Sequence, residues 1–338
     1  MKFVDLFAGI GGFRQAAQRA LGSDATCVAW CESDPLCQRL YRLAYRSSQE
    51  VHVDDVRRIA SGKRCAVDLP PFDALFAGFP CQSFSNVGKR TGLNDSRGEL
   101  FFDILRILNV YKPKMFVLEN VQKIKTIEGG QLLERMVADL RRAGYLVNTW
   151  DMLASAYGVP QQRRRIFFSG RLQSSISDKL NLPLPDPISV EEWRYPTAWH
   201  LLENEMNPRH LIPLKTRETV LRKNPKWAGD LQIDRAIARP ITASMSKWHR
   251  ANQDNYYSQT YIEQGGKQPF QPPSVDWASE PIRRITPLEG FRLQGFPDQM
   301  VSFANSLNIA FSPLYRLIGN SVPVPMAEAA IRQTLRGL

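Results

Sequence analysis

The chain has 338 residues, of which 43% are hydrophobic and 23% are charged, as is typical of a globular protein with one or two domains. No apolar run approaches the ~18–20 residues of a membrane helix, and the start "MKFVDLFAGIGG" is too short and too acidic for a signal peptide. Both observations predict a soluble, intracellular protein. The net charge of +11 favours a polyanionic partner, most simply nucleic acid, although a merely basic enzyme is an equal alternative on charge alone.

The cysteines are odd in number and form no CxxC pair, which argues against a disulfide framework and against a zinc site. We therefore expect a reducing compartment and no bound metal. The five positions are Cys27, Cys31, Cys37, Cys65 and Cys81.

Short apolar runs alternate with amphipathic stretches through the first half of the chain. Strands are predicted at 2–7, 26–32, 73–79, 114–121, 145–152 and 165–169, and helices at 12–21, 98–111 and 130–143. A further helix is predicted to begin at Pro35, with Ser33 or Asp34 as its cap. Strands that alternate with helices predict an α/β fold whose mostly parallel sheet is covered on both faces.

The regular pattern breaks after residue 170. Segment 171–282 is rich in proline and tryptophan, and lysines and arginines outnumber acids between 209 and 250. It predicts a second, less regular domain. The last stretch regains a helical pattern after the prolines of "GNSVPV", and we expect that helix to return to the first domain.

The segment "DLFAGIGG" (5–12) predicts a strand, a glycine-rich turn and a helix. Glycines allow a sharp turn and a close approach to a ligand, and the helix that follows offers free N–H groups. Glu32 follows the second strand, where an acid can accept hydrogen bonds from a ribose. Each feature has a simpler explanation: glycines that only form the turn, and a Glu32 that is only a solvated side chain at the end of a strand. Together, the glycine turn and Glu32 favour a cofactor that contains a nucleoside.

Two further strands end in reactive side chains. Cys81 follows the strand at 73–79, and Glu119 ends the strand at 114–121. Strand alternation predicts that Arg163 and Arg165 of "QQRRRIFF" share one face. The two arginines are either cations near the site or part of a solvated basic edge. Taken alone, Cys81 is more simply a small buried side chain. A thiolate beside a carboxyl group and a nucleoside cofactor instead predicts addition to a pyrimidine ring, which makes the adjacent carbon nucleophilic towards an electrophilic methyl group.

At this point the chain resembles the DNA (cytosine-5)-methyltransferase family. The resemblance rests on ordered motifs across nearly the whole chain, apart from the region around 171–282: "DLFAGIGGFR", "GFPCQSFS", "RGELFFDI", "ENV", "QQRRRIFF", "RRITPLEGFRLQGFP" and "GNSVPV". It implies a Rossmann-like S-adenosylmethionine-dependent methyltransferase domain over 1–171 and a smaller, irregular target-recognition domain over 172–302. Segment 303–338 would return to the catalytic domain.

The same resemblance implies the catalytic roles. The cysteine of the family's Pro-Cys dipeptide attacks C6 of the target cytosine, which assigns that role to Cys81. The glutamate of Glu-Asn-Val contacts N3 and the exocyclic amine, which assigns it to Glu119. Arg165 matches the arginine that contacts the cytosine carbonyl oxygen, and Arg163 is expected close to the reacting site.

The cofactor implied is S-adenosyl-L-methionine, with S-adenosyl-L-homocysteine as the product. The family's motifs place a common set of residues around it, with Glu32 on the ribose and Asp55 or Asp54 on the adenine. The expected cofactor residues are Phe7, Gly9, Gly11, Glu32, Asp55, Leu100, Asn320 and Ser321, with Val322 beside them.

The substrate implied is duplex DNA, from which the target nucleotide must be flipped because C5 is inaccessible in the stack. Segment 83–99 is predicted to be a mobile loop that closes over the base. The recognition sequence does not follow from the target-domain residues. The expected DNA-binding residues are Phe79, Pro80, Gln82, Ser85 and Thr242.

Three other functions are alternatives: a tRNA cytosine-5 methyltransferase, a catalytically inactive DNA-binding relative, and a dehydrogenase, which would leave the cysteine motif unexplained. The short chain favours a prokaryotic modification enzyme of a restriction-modification system. We expect a monomer in the cytoplasm, associated with the nucleoid through DNA, and a cognate restriction endonuclease only as a functional partner.

Overall fold

Five parallel strands and an antiparallel hairpin form the central sheet. The computed structural model describes residues 1–60, 66–80, 99–176, 181–221, 232–267 and 279–338. Within these ranges seven strands lie in the order β3-β2-β1-β4-β5-β7-β6. Their bounds are β1 Lys2–Leu6, β2 Thr26–Cys31, β3 Val51–Val53, β4 Ala74–Gly78, β5 Met115–Val121, β6 Tyr145–Leu153 and β7 Arg164–Leu172. Strand β7 is antiparallel to both β5 and β6.

Helices follow the strands in the alternation that the sequence predicts. They are α1 Gly12–Leu21, α2 Pro35–Tyr45, α3 Glu99–Tyr111 and α4 Gln131–Arg142. Asp34 caps α2, since its side chain accepts hydrogen bonds from the N–H groups of Leu36 and Cys37. The predicted α/β class, the mostly parallel sheet and the start of α2 at Pro35 are therefore confirmed.

Both faces of the sheet are covered. Val4 and Leu6 of β1 belong to a buried cluster that includes residues of α3 and α4. Phe76 of β4 stacks instead on Phe13 of α1, with ring centroids 5.9 Å apart. Because side chains alternate along a strand, these contacts place helices on opposite sides of the sheet.

The chain divides into two compact units. The first comprises Met1–Leu153, Arg164–Pro187 and Val324–Leu338, and the second comprises Ala154–Arg163 and Ile188–Pro323. The last helix, α10 (Val324–Leu335), packs on α1 in the first unit, where the guanidinium of Arg332 donates to the Arg19 carbonyl at 2.6 Å. The division by role into 1–171, 172–302 and 303–338 stays a prediction.

The second unit contains short elements around its own apolar core. They are α5 Leu214–Leu221, β8 Tyr256–Ser258, α6 Gln259–Glu263, β9 Ile282–Arg284, α7 Pro287–Leu293, α8 Gln299–Ser306 and α9 Phe311–Asn320. The core cluster consists of Ile212, Val220, Leu221, Ile233, Ala251, Tyr256 and Ile282. Among the described residues no helix is long and apolar enough to cross a membrane.

Candidate active site

The glycine turn after β1 has a left-handed backbone. Phe7, Gly9 and Gly11 have φ values of 53°, 54° and 86°, a region that glycine enters at little cost. A Cβ on Gly11 would lie 2.2 Å from the ring of Tyr45, whereas a Cβ on Gly9 would meet only the Phe7 carbonyl oxygen, at 3.9 Å. The turn therefore packs tightly against α2 at Gly11 and leaves open space beside Gly9.

Glu32 connects this turn to the start of α2. Its Oε2 accepts the N–H of Gly9 at 2.8 Å, and its Oε1 accepts the N–H of Asp34 at 2.7 Å. The side chain is partly exposed. A carboxylate oxygen accepts more than one hydrogen bond, so Glu32 has the chemistry to receive the two hydroxyl donors of a ribose while it holds the turn.

The two aspartates predicted for the adenine are both ion-paired. Arg57 Nε lies 2.9 Å from Asp55 Oδ1, and Arg58 Nη1 lies 2.5 Å from Asp54 Oδ1. The hydrogen bonds from Arg57 and Arg58 lower the pKa of their respective partners, so both groups are carboxylates at neutral pH. Asp55 is partly buried and Asp54 is exposed.

Glu119 and Arg165 meet at the carboxyl end of β5. Arg165 Nε lies 2.6 Å from Glu119 Oε1, with the side chains 16% and 11% exposed, respectively. Glu119 pairs in register with Gly78 of β4, and a Cβ on Gly78 would lie 3.5 Å from Glu119 Oε2. The last residue of β4 is therefore a glycine beside this carboxylate, three positions before Cys81.

Asn120 ties the end of β5 to the segment that leads to Cys81. Its amide nitrogen donates to the Phe79 carbonyl at 3.1 Å, and its Oδ1 accepts the N–H of Val121 at 2.8 Å. Phe79 is buried and Pro80 is exposed. The described residues do not include Cys81, Gln82 or Ser85. Nearly all of the loop predicted over 83–99 also lies outside them.

A basic cluster lies at the same edge of the sheet. Asp151 near the end of β6 accepts hydrogen bonds from Lys125, at 2.8 Å, and from Gln122, at 3.0 Å. Arg164 at the start of β7 is 3.8 Å from the other oxygen of Asp151. Lys125 and Arg164 are both exposed, so both cations of this cluster are open to solvent.

Arg163 belongs to the second unit and binds backbone there. Its Nη1 donates to the Ile241 carbonyl at 2.8 Å, and its Nη2 donates to the carbonyls of Gly319 and Ser321, each at 2.9 Å. The side chain is 2% exposed. Strand β7 begins at Arg164, one residue after Arg163, and the shared face of Arg163 and Arg165 stays a prediction.

Thr242 and the "GNS" segment meet in the second unit. A Cβ on Gly319 would lie 2.5 Å from the Thr242 carbonyl carbon, so only glycine allows the two backbones to approach so closely. Ser321 is buried and Asn320 is exposed. Buried Gln161 adds a further connection, since its side chain accepts the N–H of Ile241 and donates to the Leu293 carbonyl.

The predicted site residues thus fall into two described groups. The first unit holds Phe7, Gly9, Gly11, Glu32, Asp55, Phe79, Pro80, Leu100, Glu119 and Arg165, and the second holds Arg163, Thr242, Asn320 and Ser321. Leu100 lies in α3 and packs against the buried sheet cluster. The roles assigned to these residues stay predictions.

Neither Tyr45 nor Asp151 was predicted from the sequence to belong to the site, and Asn120 was not assigned a role separate from Glu119. A tyrosine in an amphipathic helix looks like an ordinary core residue, and an aspartate within a strand looks like a solvated side chain. Asn120 alone carried a signal, because it stands inside the "ENV" motif next to Glu119.

Comparison with known proteins agrees with this geometry. The family model of the C-5 cytosine-specific DNA methylase matches residues 1–336. The chain is 33% identical to the type II methyltransferase M.NlaX of Neisseria lactamica, with 98% of this chain and 95% of that protein covered. It is 32% identical to M.HpaII of Haemophilus parainfluenzae, over 99% and 89% of the two chains.

Solved structures support the fold. The Entamoeba histolytica methyltransferase EhMeth has a TM-score of 0.74 at 19% identity and covers 99% of this chain and 97% of its own. Dnmt2 of S. pombe has the same TM-score at 21% identity, over 99% and 98% of the two chains. The Rossmann-like methyltransferase fold is confirmed, and the chain belongs to the family of C-5 cytosine-specific DNA methylases, the DNA (cytosine-5-)-methyltransferases.

Proposed function

We propose that this protein methylates C5 of a flipped-out cytosine within a specific duplex DNA sequence, through a covalent bond between the Cys81 sulfur and C6 of the base. The observation that carries the proposal is the Glu119–Arg165 pair, 2.6 Å apart at the carboxyl end of β5 and partly open to solvent. The resemblance assigns N3 of cytosine to this carboxyl group and the ring carbonyl to this guanidinium. Charge that develops on the ring during thiolate attack would meet preorganised polar groups.

Each catalytic group has a defined part in the reaction. The Cys81 thiolate forms a bond to C6, and the electron density moves into the ring, where Glu119 stabilises it at N3. C5 then takes the methyl group and gives its proton to a general base; the electron pair of the C5–H bond re-forms the C5–C6 double bond as the C6–S bond breaks and the thiolate is released. The hydrogen bond from Asn120 to the Phe79 carbonyl fixes the backbone two residues before Cys81.

S-adenosyl-L-methionine, when bound, supplies the electrophilic methyl group. The residues of the first unit fit it: the space beside Gly9 is open, and Glu32 offers two carboxylate oxygens at the glycine turn. Phe7, Gly11, Leu100 and Asp55 would complete this side, and Asn320 and Ser321 are assigned to the cofactor by the resemblance. Arg163 fits a positioning role, because its guanidinium binds three backbone carbonyls.

Duplex DNA is the proposed substrate, and Lys125 and Arg164 would meet its phosphates. The relatives with 32–33% identity over nearly the full chain are named as type II methyltransferases. We therefore infer that the protein acts as the modification enzyme of a restriction-modification system, as a monomer in the cytoplasm of a prokaryote. The solved neighbours named Dnmt2 are 19–21% identical and bear on the fold alone. We therefore include tRNA as a second substrate in the experiment below.

Mapping 5-methylcytosine in cells that express the protein tests the proposal. Bisulfite or nanopore sequencing of the DNA is expected to show one short sequence context that is methylated, and Cys81→Ala is expected to abolish the signal while duplex binding is retained. Purified protein is assayed in parallel on duplex DNA and on tRNA. Methylation of tRNA without methylation of duplex DNA would show that tRNA is the substrate. Turnover by Cys81→Ala would overturn the covalent mechanism.

A further inference from the structure

We propose that Tyr45, the last residue of α2, is a positioning residue that holds the glycine turn in the shape required for cofactor binding. The inference rests on the proposed cofactor site and extends it to a residue that would not touch the cofactor itself. The Tyr45 hydroxyl donates to the Gly11 carbonyl at 2.9 Å and lies 3.3 Å from the Ile10 carbonyl. One phenol therefore binds two consecutive carbonyls at the end of the turn.

The ring of Tyr45 also dictates which residue stands at position 11. Any Cβ there would overlap the ring at 2.2 Å, and the φ of Gly11 is +86°. Glycine at position 11 and tyrosine at position 45 therefore form a matched pair, in which the ring occupies the volume that another side chain would fill. Gly11 directly precedes the first residue of α1, so its contact with the Tyr45 ring is part of the packing of the turn.

Helix α2 holds the turn at both of its ends. At the start of the helix, Glu32 links the N–H of Asp34 to the N–H of Gly9. At the other end, Tyr45 binds the carbonyls of Ile10 and Gly11. A regular helix is a rigid spacer, so these two contacts together limit the separation between the start and the end of the turn.

The surroundings of Tyr45 keep its hydroxyl in place. The Tyr41 ring lies 4.8 Å from its own, and the guanidinium of Arg14 lies 5.3 Å above it. Arg14 is in turn fixed by an ion pair with Glu50 at 2.7 Å. Burial raises the pKa of the Tyr45 phenol, so the hydroxyl keeps its proton and remains a donor at neutral pH.

The turn needs this support because part of it is strained. Phe7 has a φ of 53°, and a residue with a Cβ in the left-handed region costs about 1–2 kcal/mol. Without the bond from Tyr45, we expect the turn to sample relaxed conformers in which the Gly9 and α1 N–H groups point elsewhere. The measured dissociation constant rises in inverse proportion to the fraction of molecules in the competent conformer.

The test is the substitution Tyr45→Phe, which removes the hydroxyl and keeps the ring. Isothermal titration with S-adenosylhomocysteine, in the absence of DNA, is expected to give a dissociation constant about fivefold higher than that of the wild type, the loss of one ordinary hydrogen bond. The KM for S-adenosylmethionine is expected to rise by the same factor. The kcat at saturating cofactor and the affinity for DNA are expected to stay unchanged.

Tyr41→Phe is the matched control. Tyr41 lies one turn earlier in α2 and donates to Asp5, not to the glycine turn, so its loss is expected to lower stability without changing cofactor affinity. As a second measurement, the rise in unfolding temperature caused by saturating S-adenosylhomocysteine is expected to be smaller in Tyr45→Phe than in the wild type or in Tyr41→Phe.

Two results would overturn the inference: an unchanged dissociation constant in Tyr45→Phe, or an equal weakening in Tyr41→Phe, which would mean a general loss of stability. A wild-type protein that does not bind S-adenosylhomocysteine would instead remove the proposed cofactor site. The failure of the inference and the failure of the proposed function are thus separate observations.

Discussion

Each of the two units contains an arginine–glutamate pair with the same separation, but the two pairs differ in their exposure to solvent. In the first unit, Arg165 and Glu119 are 2.6 Å apart and their side chains are 16% and 11% exposed. In the second unit, Arg283 and Glu289 are also 2.6 Å apart, and both side chains are 0% exposed. The distance is identical, so only the surroundings distinguish a pair that a substrate can reach from a pair that it cannot.

The buried pair is surrounded by backbone donors of its own unit. Glu289 accepts hydrogen bonds from the N–H groups of Glu203 and Thr286 at 2.7 Å, besides those from Arg283. Removal of one charge from such a pair leaves the other desolvated and uncompensated, which costs several kcal/mol. Burial therefore distinguishes a pair whose loss would destabilise the fold from a pair that a substrate can reach.

The largest effect is expected from Glu119→Gln. The amide keeps the shape of the carboxyl group, but it carries no negative charge and cannot exchange a proton at the position assigned to N3 of the cytosine. The single-turnover rate of methyl transfer is therefore expected to fall about 10²–10³-fold. The rate is measured by rapid quench with a radiolabelled methyl donor at saturating DNA. A rate within about threefold of the wild type would remove Glu119 from the chemistry.

Glu289→Gln is expected to act on stability. The free energy of unfolding is expected to fall by about 3–5 kcal/mol, because Arg283 stays buried with its charge uncompensated. Urea denaturation of Glu289→Gln and Glu119→Gln side by side measures the contrast, with a smaller loss expected for Glu119→Gln, because the side chains of its pair are 16% and 11% exposed. Equal losses in the two variants would contradict the distinction drawn from burial.

Asp5 is a third carboxyl group, buried without an arginine within hydrogen-bond reach in the described residues. Its Oδ2 accepts the Tyr41 hydroxyl at 3.3 Å, its Oδ1 has no hydrogen-bond partner among the residues that the structure describes, and burial raises its pKa well above the ordinary 3.8. Above pH ~4 the unfolded chain releases this proton while the folded chain keeps it, so the group's contribution to stability falls as pH rises.

Asp5→Asn is therefore expected to gain stability relative to the wild type as pH rises from about 4 towards the folded-state pKa. Urea unfolding of both proteins at about pH 5 and about pH 8 measures the difference. A difference that is independent of pH would show that Asp5 is ionised in the folded state.

The smallest effect is expected from Lys125→Gln, at an exposed position shortly after the end of β5. If Lys125 meets a phosphate, the slope of log affinity for duplex DNA against log salt is expected to fall by about one. Lys114 is the matched control, since it forms a comparable pair with Asp73 at 3.0 Å but precedes β5 at the opposite edge of the sheet. An unchanged slope in Lys125→Gln, or an equal change in Lys114→Gln, would move the DNA surface elsewhere.

Much of the first unit could be predicted because its strands and helices are long and periodic. The sequence predicted the strands that became β1, β2, β4, β5, β6 and β7 to within a few residues at each end. Strand β3 was missed because Val51–Val53 is too short to show a period. Helices α7 to α9 were missed because prolines and short lengths interrupt their pattern.

The candidate site was predictable where strand ends converge and was not predictable where it depends on tertiary contacts. Glu119 could be placed because parallel strands present their carboxyl ends at one edge. The three backbone carbonyls that Arg163 binds lie at Ile241, Gly319 and Ser321, and alternation along one strand says nothing about partners so distant in the sequence. The contact of Tyr45 with Gly11 joins residues 34 positions apart, and local patterns carry no information about such a pair.

The position of α10 has a consequence for the order of synthesis. The helix packs on α1, and its Thr334 hydroxyl lies 2.8 Å from that of Ser169 in β7, so the first unit contains a helix that follows the whole of the second unit in the chain. A nascent chain that already carries the glycine turn, Cys81 and Glu119 still lacks this cover. The first unit is therefore expected to obtain this cover only after the second unit has been synthesised.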